Sequence, residues 1–72
     1  MNSHMQTNLD NIKLETVSMV CHKTCPCKHD VTYRNMDNKS EPMKGLFLST
    51  EINELVHRRQ CSDEVLSQWN NH

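Results

Sequence analysis

The chain has 72 residues, a formal charge of −1, and hydrophobic residues at 35% of its positions, with one Phe, one Tyr and one Trp. A chain of this size is at most one domain and buries only roughly 60% of its unfolded surface, so a disulfide, a metal or a partner chain is expected to help it fold. A pI of about 6.5 lacks the basic footprint of most nucleic-acid binders, and no segment has membrane-spanning length or the basic start and apolar run of a secretory signal.

Residues 1–12 are polar, with Leu9 and Ile12 the only anchors, and read as a flexible N-terminus. Ser3-His4-Met5 resembles an expression-tag junction, which sets Met1–His4 aside. A single small domain is expected over 13–69. From Lys13 to Cys21 the β-branched and apolar residues alternate in part, which predicts a strand, and Val31-Thr32-Tyr33-Arg34 predicts a second. The segment between them then forms the tip of a hairpin, where Pro26 suits a turn.

Asn35 to Lys44 reads as a polar connector closed by Gly45, the only glycine, and Leu46-Phe47-Leu48 as the most apolar triplet of the core. Ser49 or Thr50 is expected to cap a helix running to about Gln60, with Ile52, Leu55 and Val56 as its apolar stripe. Arg59 projects onto nearly the same face, so the stripe is short or the helix frays there. Ser62 or Asp63 caps a last short helix with Val65, Leu66 and Trp69 on one face, before a polar tail at 70–72.

The hairpin tip carries most of the chemistry. Cys21-His22-Lys23-Thr24-Cys25-Pro26-Cys27-Lys28-His29 places three of the four cysteines and two of the five histidines within nine residues. Soft thiolates and imidazoles this close favour a zinc loop, since zinc takes about four such ligands in a tetrahedron. The expected set is Cys21, Cys25, Cys27 and His29. Disulfides and free thiols are the rivals, disfavoured by the reducing cytoplasm expected for this chain and by the short Cys25-x-Cys27 step.

His57 and Cys61 lie four apart and share one helical face, so either is a substitute ligand from a distant element. That face points away from Ile52 and Val56. The bland reading makes Cys21 and Cys61 small buried hydrophobes and His22 and His29 exposed polar residues.

Catalysis has little material. There is no Gly-rich phosphate loop, no HExxH and no Cys-x-x-Cys, and Asp30 is the only acid close to the loop. Leu55-Val56-His57-Arg58-Arg59-Gln60-Cys61-Ser62-Asp63-Glu64-Val65-Leu66-Ser67-Gln68-Trp69 resembles the core of a helix-turn-helix, with Leu55, Ser62, Leu66, Ser67 and Trp69 in register. The resemblance implies that Ser62, Asp63, Glu64, Ser67 and Gln68 face DNA. Gln60 stands where that family has a turn glycine, Arg59 where it has a core leucine, and Asp63 with Glu64 would meet phosphates.

Together these readings predict a small α+β fold: a short Cys-loop β-hairpin followed by two short C-terminal helices, stapled by metal. The expected function is a non-enzymatic zinc-binding module that acts through protein–protein contact, as an adaptor, inhibitor or regulatory accessory protein. Phe47 and Trp69 are the expected partner anchors, for a protein partner or a second copy of the chain. The alternative is a small helix-turn-helix-like transcription regulator, with nucleic acid ranked below protein as the partner and no membrane partner expected.

Overall fold

The protein's structure is a computed structural model that describes residues 9–22, 26–37 and 41–70. Strands β1 (Ile12–Val17), β2 (Lys28–Asn35) and β3 (Met43–Leu48) form one antiparallel sheet in the order β1-β2-β3. Helices α1 (Ser49–His57) and α2 (Asp63–Asn70) follow. The α+β class and the hairpin-then-helices order match expectation. The third strand does not: it extends through the segment read as a connector plus a core triplet.

Side-chain alternation sets the inner face of the sheet. Ile12 and Leu14 point inward, and strict alternation would then turn Val17 out. A bulge between Leu14 and Thr16 resets the register, so Val17 is also buried. On β2 the inward residues are His29 and Val31, with Tyr33 partly buried on the same face. On β3 they are Gly45 and Phe47. A Cβ on Gly45 would stand 3.4 Å from both the Tyr33 and Phe47 rings, at contact distance, so the two aromatics lie close over the β3 backbone there. Their centroids lie 5.4 Å apart.

Ile52, Leu55 and Val56 of α1 and Val65 of α2 complete the core against that face. Full burial of side chains this size stabilises by about 1.5–3 kcal/mol each. The opposite sheet face is polar. There the Arg34 guanidinium bonds the Glu15 carboxylate at 2.8 Å and holds its carboxyl below the ordinary value of 4.5. A carboxyl lowered in this way adds stability above its unfolded value, and loses it as pH falls through the lowered one.

The joint between the helices locks onto the sheet. Leu14 donates its N–H to the Gln60 carbonyl at 3.0 Å and accepts from the Ser62 N–H at 2.8 Å, so residues 60–62 run along the free edge of β1. The Gln60 side-chain amide donates to the carbonyls of Leu9 and Ile12 at 2.8 and 2.9 Å. These bonds correct the expectation of a flexible 1–12 stretch at its C-terminal end. Leu9–Asn11 is a 3₁₀ turn, Leu9 packs on the core, and Ile12 opens β1.

Arg59 explains the short stripe of α1. The helix ends at His57, and Arg59 takes a left-handed φ of 63° while its N–H bonds the Val56 carbonyl. Such a conformation costs a non-glycine residue on the order of 1–2 kcal/mol. Five residues, 58–62, separate the two helices, and their middle is extended along β1. A helix-turn-helix uses a turn of about 3–4 residues, so the joint departs from that geometry.

Urea melts should show Leu14→Ala losing about 2–5 kcal/mol, because its side chain is fully buried. Arg59→Gly should be neutral or stabilising by up to about 1 kcal/mol, since it relieves the left-handed backbone. A clear loss on Arg59→Gly would mean that the arginine side chain matters more than its φ.

Candidate functional site

One end of the sheet brings together the hairpin tip, the start of α1 and the end of α2. His29 enters from β2 and is 5% exposed, the one buried polar side chain among the described residues. Its position was expected to be loop-borne and near solvent, yet β2 begins at Lys28, and the alternation that buries Val31 also buries His29. The imidazole is fixed at both nitrogens. Nδ1 lies 2.9 Å from the Ser18 carbonyl oxygen, and Nε2 lies 3.0 Å from Ser49 Oγ.

A carbonyl can only accept, so the Nδ1 bond places a proton there and leaves Nε2 of the neutral ring as an acceptor. The Ser49 hydroxyl then donates to Nε2. That contact explains why Ser49 does not cap α1: Leu48 stands at the N-cap, and its N–H is satisfied by the Glu51 carboxylate at 2.8 Å. The Trp69 ring meets the imidazole edge-on at 5.3 Å.

Sulfur lies against the same nitrogen. Cys27 Sγ is 3.7 Å from His29 Nε2. Cys21 and Cys27 are joined to each other as a disulfide, with their Cα atoms 5.5 Å apart. Among the described residues no group of three His, Cys, Asp or Glu side chains stands ready to hold a metal. In this structure the two sulfurs expected as zinc ligands are bonded to each other. Cys25, the remaining expected ligand, lies outside the described residues.

Cys21, Cys27, His29, Met19, Asn53 and Trp69 line an open cleft of about 520 Å³. A hollow of about 610 Å³ on the polar sheet face is lined by Thr16, Asp30, Thr32 and Lys44 among others, and by no thiol or imidazole. The convergence of donors makes the smaller cleft the candidate site. His22, the other histidine of the loop, instead pairs with Asp30 at 2.7 Å on the exposed side.

The substitute ligands fall elsewhere. His57 is exposed on α1, while Cys61 is buried beside Leu14 because the 60–62 segment follows the β1 edge. Cys61 is therefore the small buried hydrophobe of the bland reading, and burial pushes its thiol above the ordinary value of 9.0. Phe47 is corrected as a partner anchor. It is 3% exposed and packs in the core with Tyr33, where the inward alternation of β3 places it. Trp69 keeps a half-buried ring at the cleft, with its Nε1 donating to Asn53 Oδ1.

Ser18 and Ser49 are the functional neighbours that sequence reasoning missed. Each is a common polar residue at an element boundary. Nothing in the spacing of residues 18, 29 and 49 shows that the register of β1 on β2 and the β3–α1 junction bring them to one ring.

Reaction with iodoacetamide at pH 8 should leave Cys61 unmodified in the folded chain and modify it in denaturant. Burial and the raised pKa both reduce its thiolate fraction. Rapid modification of Cys61 in the folded chain would show that the 60–62 joint opens readily.

A scan of protein-family models, a search of curated proteins and a search of solved structures each return no match, so the reading of this cleft rests on its geometry and chemistry alone.

Proposed function

We propose that the chain is a small zinc-binding module that works by contact with a protein partner, with the metal held at the cleft by the reduced thiols of Cys21 and Cys27 and by His29. Cys25, in the same loop, is the fourth donor that the sequence offers. The observation that carries this reading is the 3.7 Å between Cys27 Sγ and His29 Nε2. Zinc bonds of about 2.3 Å to sulfur and about 2.05 Å to nitrogen, at a tetrahedral angle, put two such donors about 3.6 Å apart. The pair already stands at that separation.

The tautomer supports the same reading. Metal-bound histidines commonly donate their other ring N–H to a carbonyl or carboxylate, which aims the free lone pair at the ion. The Ser18 carbonyl does this for His29, and Nε2 faces the cleft. A bound zinc would tie the hairpin tip to β2, adding a staple that a thin core lacks. Binding requires that the sulfurs be reduced and separate to about 3.8 Å, the distance between two thiolates on one tetrahedral ion.

Contact with a partner is supported by what surrounds the cleft. Met19 is 38% exposed and Val20 61% exposed beside the hairpin tip, and Trp69 lies half-buried across the cleft. Aromatic and methionine side chains at such a rim are favoured anchors.

Elemental analysis of anaerobically purified, reduced protein should find about one zinc per chain. His29→Ala should lower zinc affinity by about tenfold or more, in line with loss of a direct ligand. Trp69→Ala should keep the zinc and release the partner. Reduced, folded protein without metal would overturn the reading, and so would partner capture that Trp69→Ala leaves unchanged.

A further inference from the structure

The cleft contains two mutually exclusive uses of the same two sulfurs. We propose that Cys21 and Cys27 form a peroxide-responsive exchange site, in which oxidation joins the two sulfurs and releases zinc while the fold stays intact. This rests on the zinc reading above and adds its regulation.

Three features of the structure support it. The Cα–Cα separation of 5.5 Å lies in the range that a disulfide spans without backbone movement. Cys21 is exposed and Cys27 half-exposed, so a small oxidant reaches them, unlike Cys61. The hairpin tip is also closed independently of sulfur. The Ser18 N–H bonds the Asp30 carbonyl at 2.8 Å, and the His22 N–H bonds the Lys28 carbonyl at 3.1 Å.

His29 supplies the most specific argument. A buried imidazole nitrogen left without a partner is destabilising, which would oppose release of a metal it had bound. Here the Ser49 hydroxyl stands 3.0 Å from Nε2 and takes that role in the disulfide form. Nδ1 keeps its bond to the Ser18 carbonyl throughout. Ser49 thus acts as a positioning residue, stabilising the oxidised form alone.

The chemistry balances with one hydrogen peroxide per pair. The Cys21 thiolate attacks one peroxide oxygen, the O–O bond breaks, hydroxide leaves, and Cys21 becomes a sulfenic acid. The Cys27 thiolate then attacks that sulfur, the S–O bond breaks, and a second hydroxide leaves as the S–S bond forms. The two sulfurs lose two electrons in all, and the peroxide, with two protons from solvent, becomes two waters. Zinc loses two donors together and dissociates.

The test uses the full chain, reduced and loaded with zinc, treated with one equivalent of hydrogen peroxide. A chelating dye should report about one zinc released per chain, with peptide mapping showing the Cys21–Cys27 link and circular dichroism unchanged. Dithiothreitol followed by zinc should restore the loaded form. Cys21→Ser, loaded at saturating zinc and compared with its own untreated sample, should show the peroxide-dependent part of release slowed by about tenfold or more, because no Cys21–Cys27 disulfide can form. Ser49→Ala should lower the melting temperature of the oxidised form and leave that of the zinc form unchanged.

Zinc retained after peroxide would overturn the exchange while leaving zinc binding intact. Release through a different linkage, or with loss of the fold, would also overturn it. A reduced chain that takes up no zinc before peroxide is added refutes the zinc reading, and the exchange falls with it.

Discussion

The pairing of Leu14 with Gln60 and Ser62 is the constraint on which the rest of the molecule depends. A three-stranded sheet of this size cannot bury its own inner face, and two helices of eight or nine residues are too short to stand alone in water. The backbone bonds from residues 60–62 to β1 solve both problems at one place. They cover the free edge of β1, set the position of α2, and return α1 across the inner face. Gln60 extends the joint by bonding two carbonyls at the start of β1, so one amide ties the chain's beginning to its middle.

The site is a consequence of that joint. His29 is held from the sheet by Ser18 and from α1 by Ser49, and it meets Trp69 near the end of α2. Three elements converge on one imidazole, and each arrives there because the sheet and helices are docked elsewhere. A buried polar ring is stable only when both nitrogens are bonded. The arrangement meets that condition while leaving Nε2 facing sulfur. The Ser18 carbonyl sets the tautomer of His29, and the Ser49 hydroxyl satisfies the nitrogen that this leaves as an acceptor.

The local parts of the fold could be read from the residues, and the non-local parts could not. The stripe of Ile52, Leu55 and Val56 marks α1, Ser62 marks the start of α2, and Arg59 marks the break, because each signal lies within one turn of chain. Strand β3 was hidden because Lys44 and Gly45 have poor strand propensity; pairing with β2 overrides it. The bulge after Leu14 was hidden for a similar reason, since only the buried face it serves gives it a purpose. In the site, the Cys21–His29 cluster announced itself by density, whereas Ser18 and Ser49 carry no signal that survives outside the folded register. Phe47 was doubly readable, as core triplet and as exposed anchor, and the inward alternation of β3 decides for the core.

One consequence concerns how a thin-cored chain can place reactive chemistry. Core burial and polar reactivity usually compete for the same positions, and a small domain has few to spare. Here they are separated along the hairpin. Its base, at Ile12, Leu14, Val17 and Val31, supplies apolar packing, while the sulfurs of Cys21 and Cys27 lie outside the core. His29 stands at the boundary between them, two residues from Val31 on one side and two from Cys27 on the other. Among the described residues, His29 is one link between the sulfurs and the core, and Trp69, which lines the same cleft and packs on the core, is another. The His29 ring is held at both nitrogens, by Ser18 and by Ser49, which anchors it between the tip and the core.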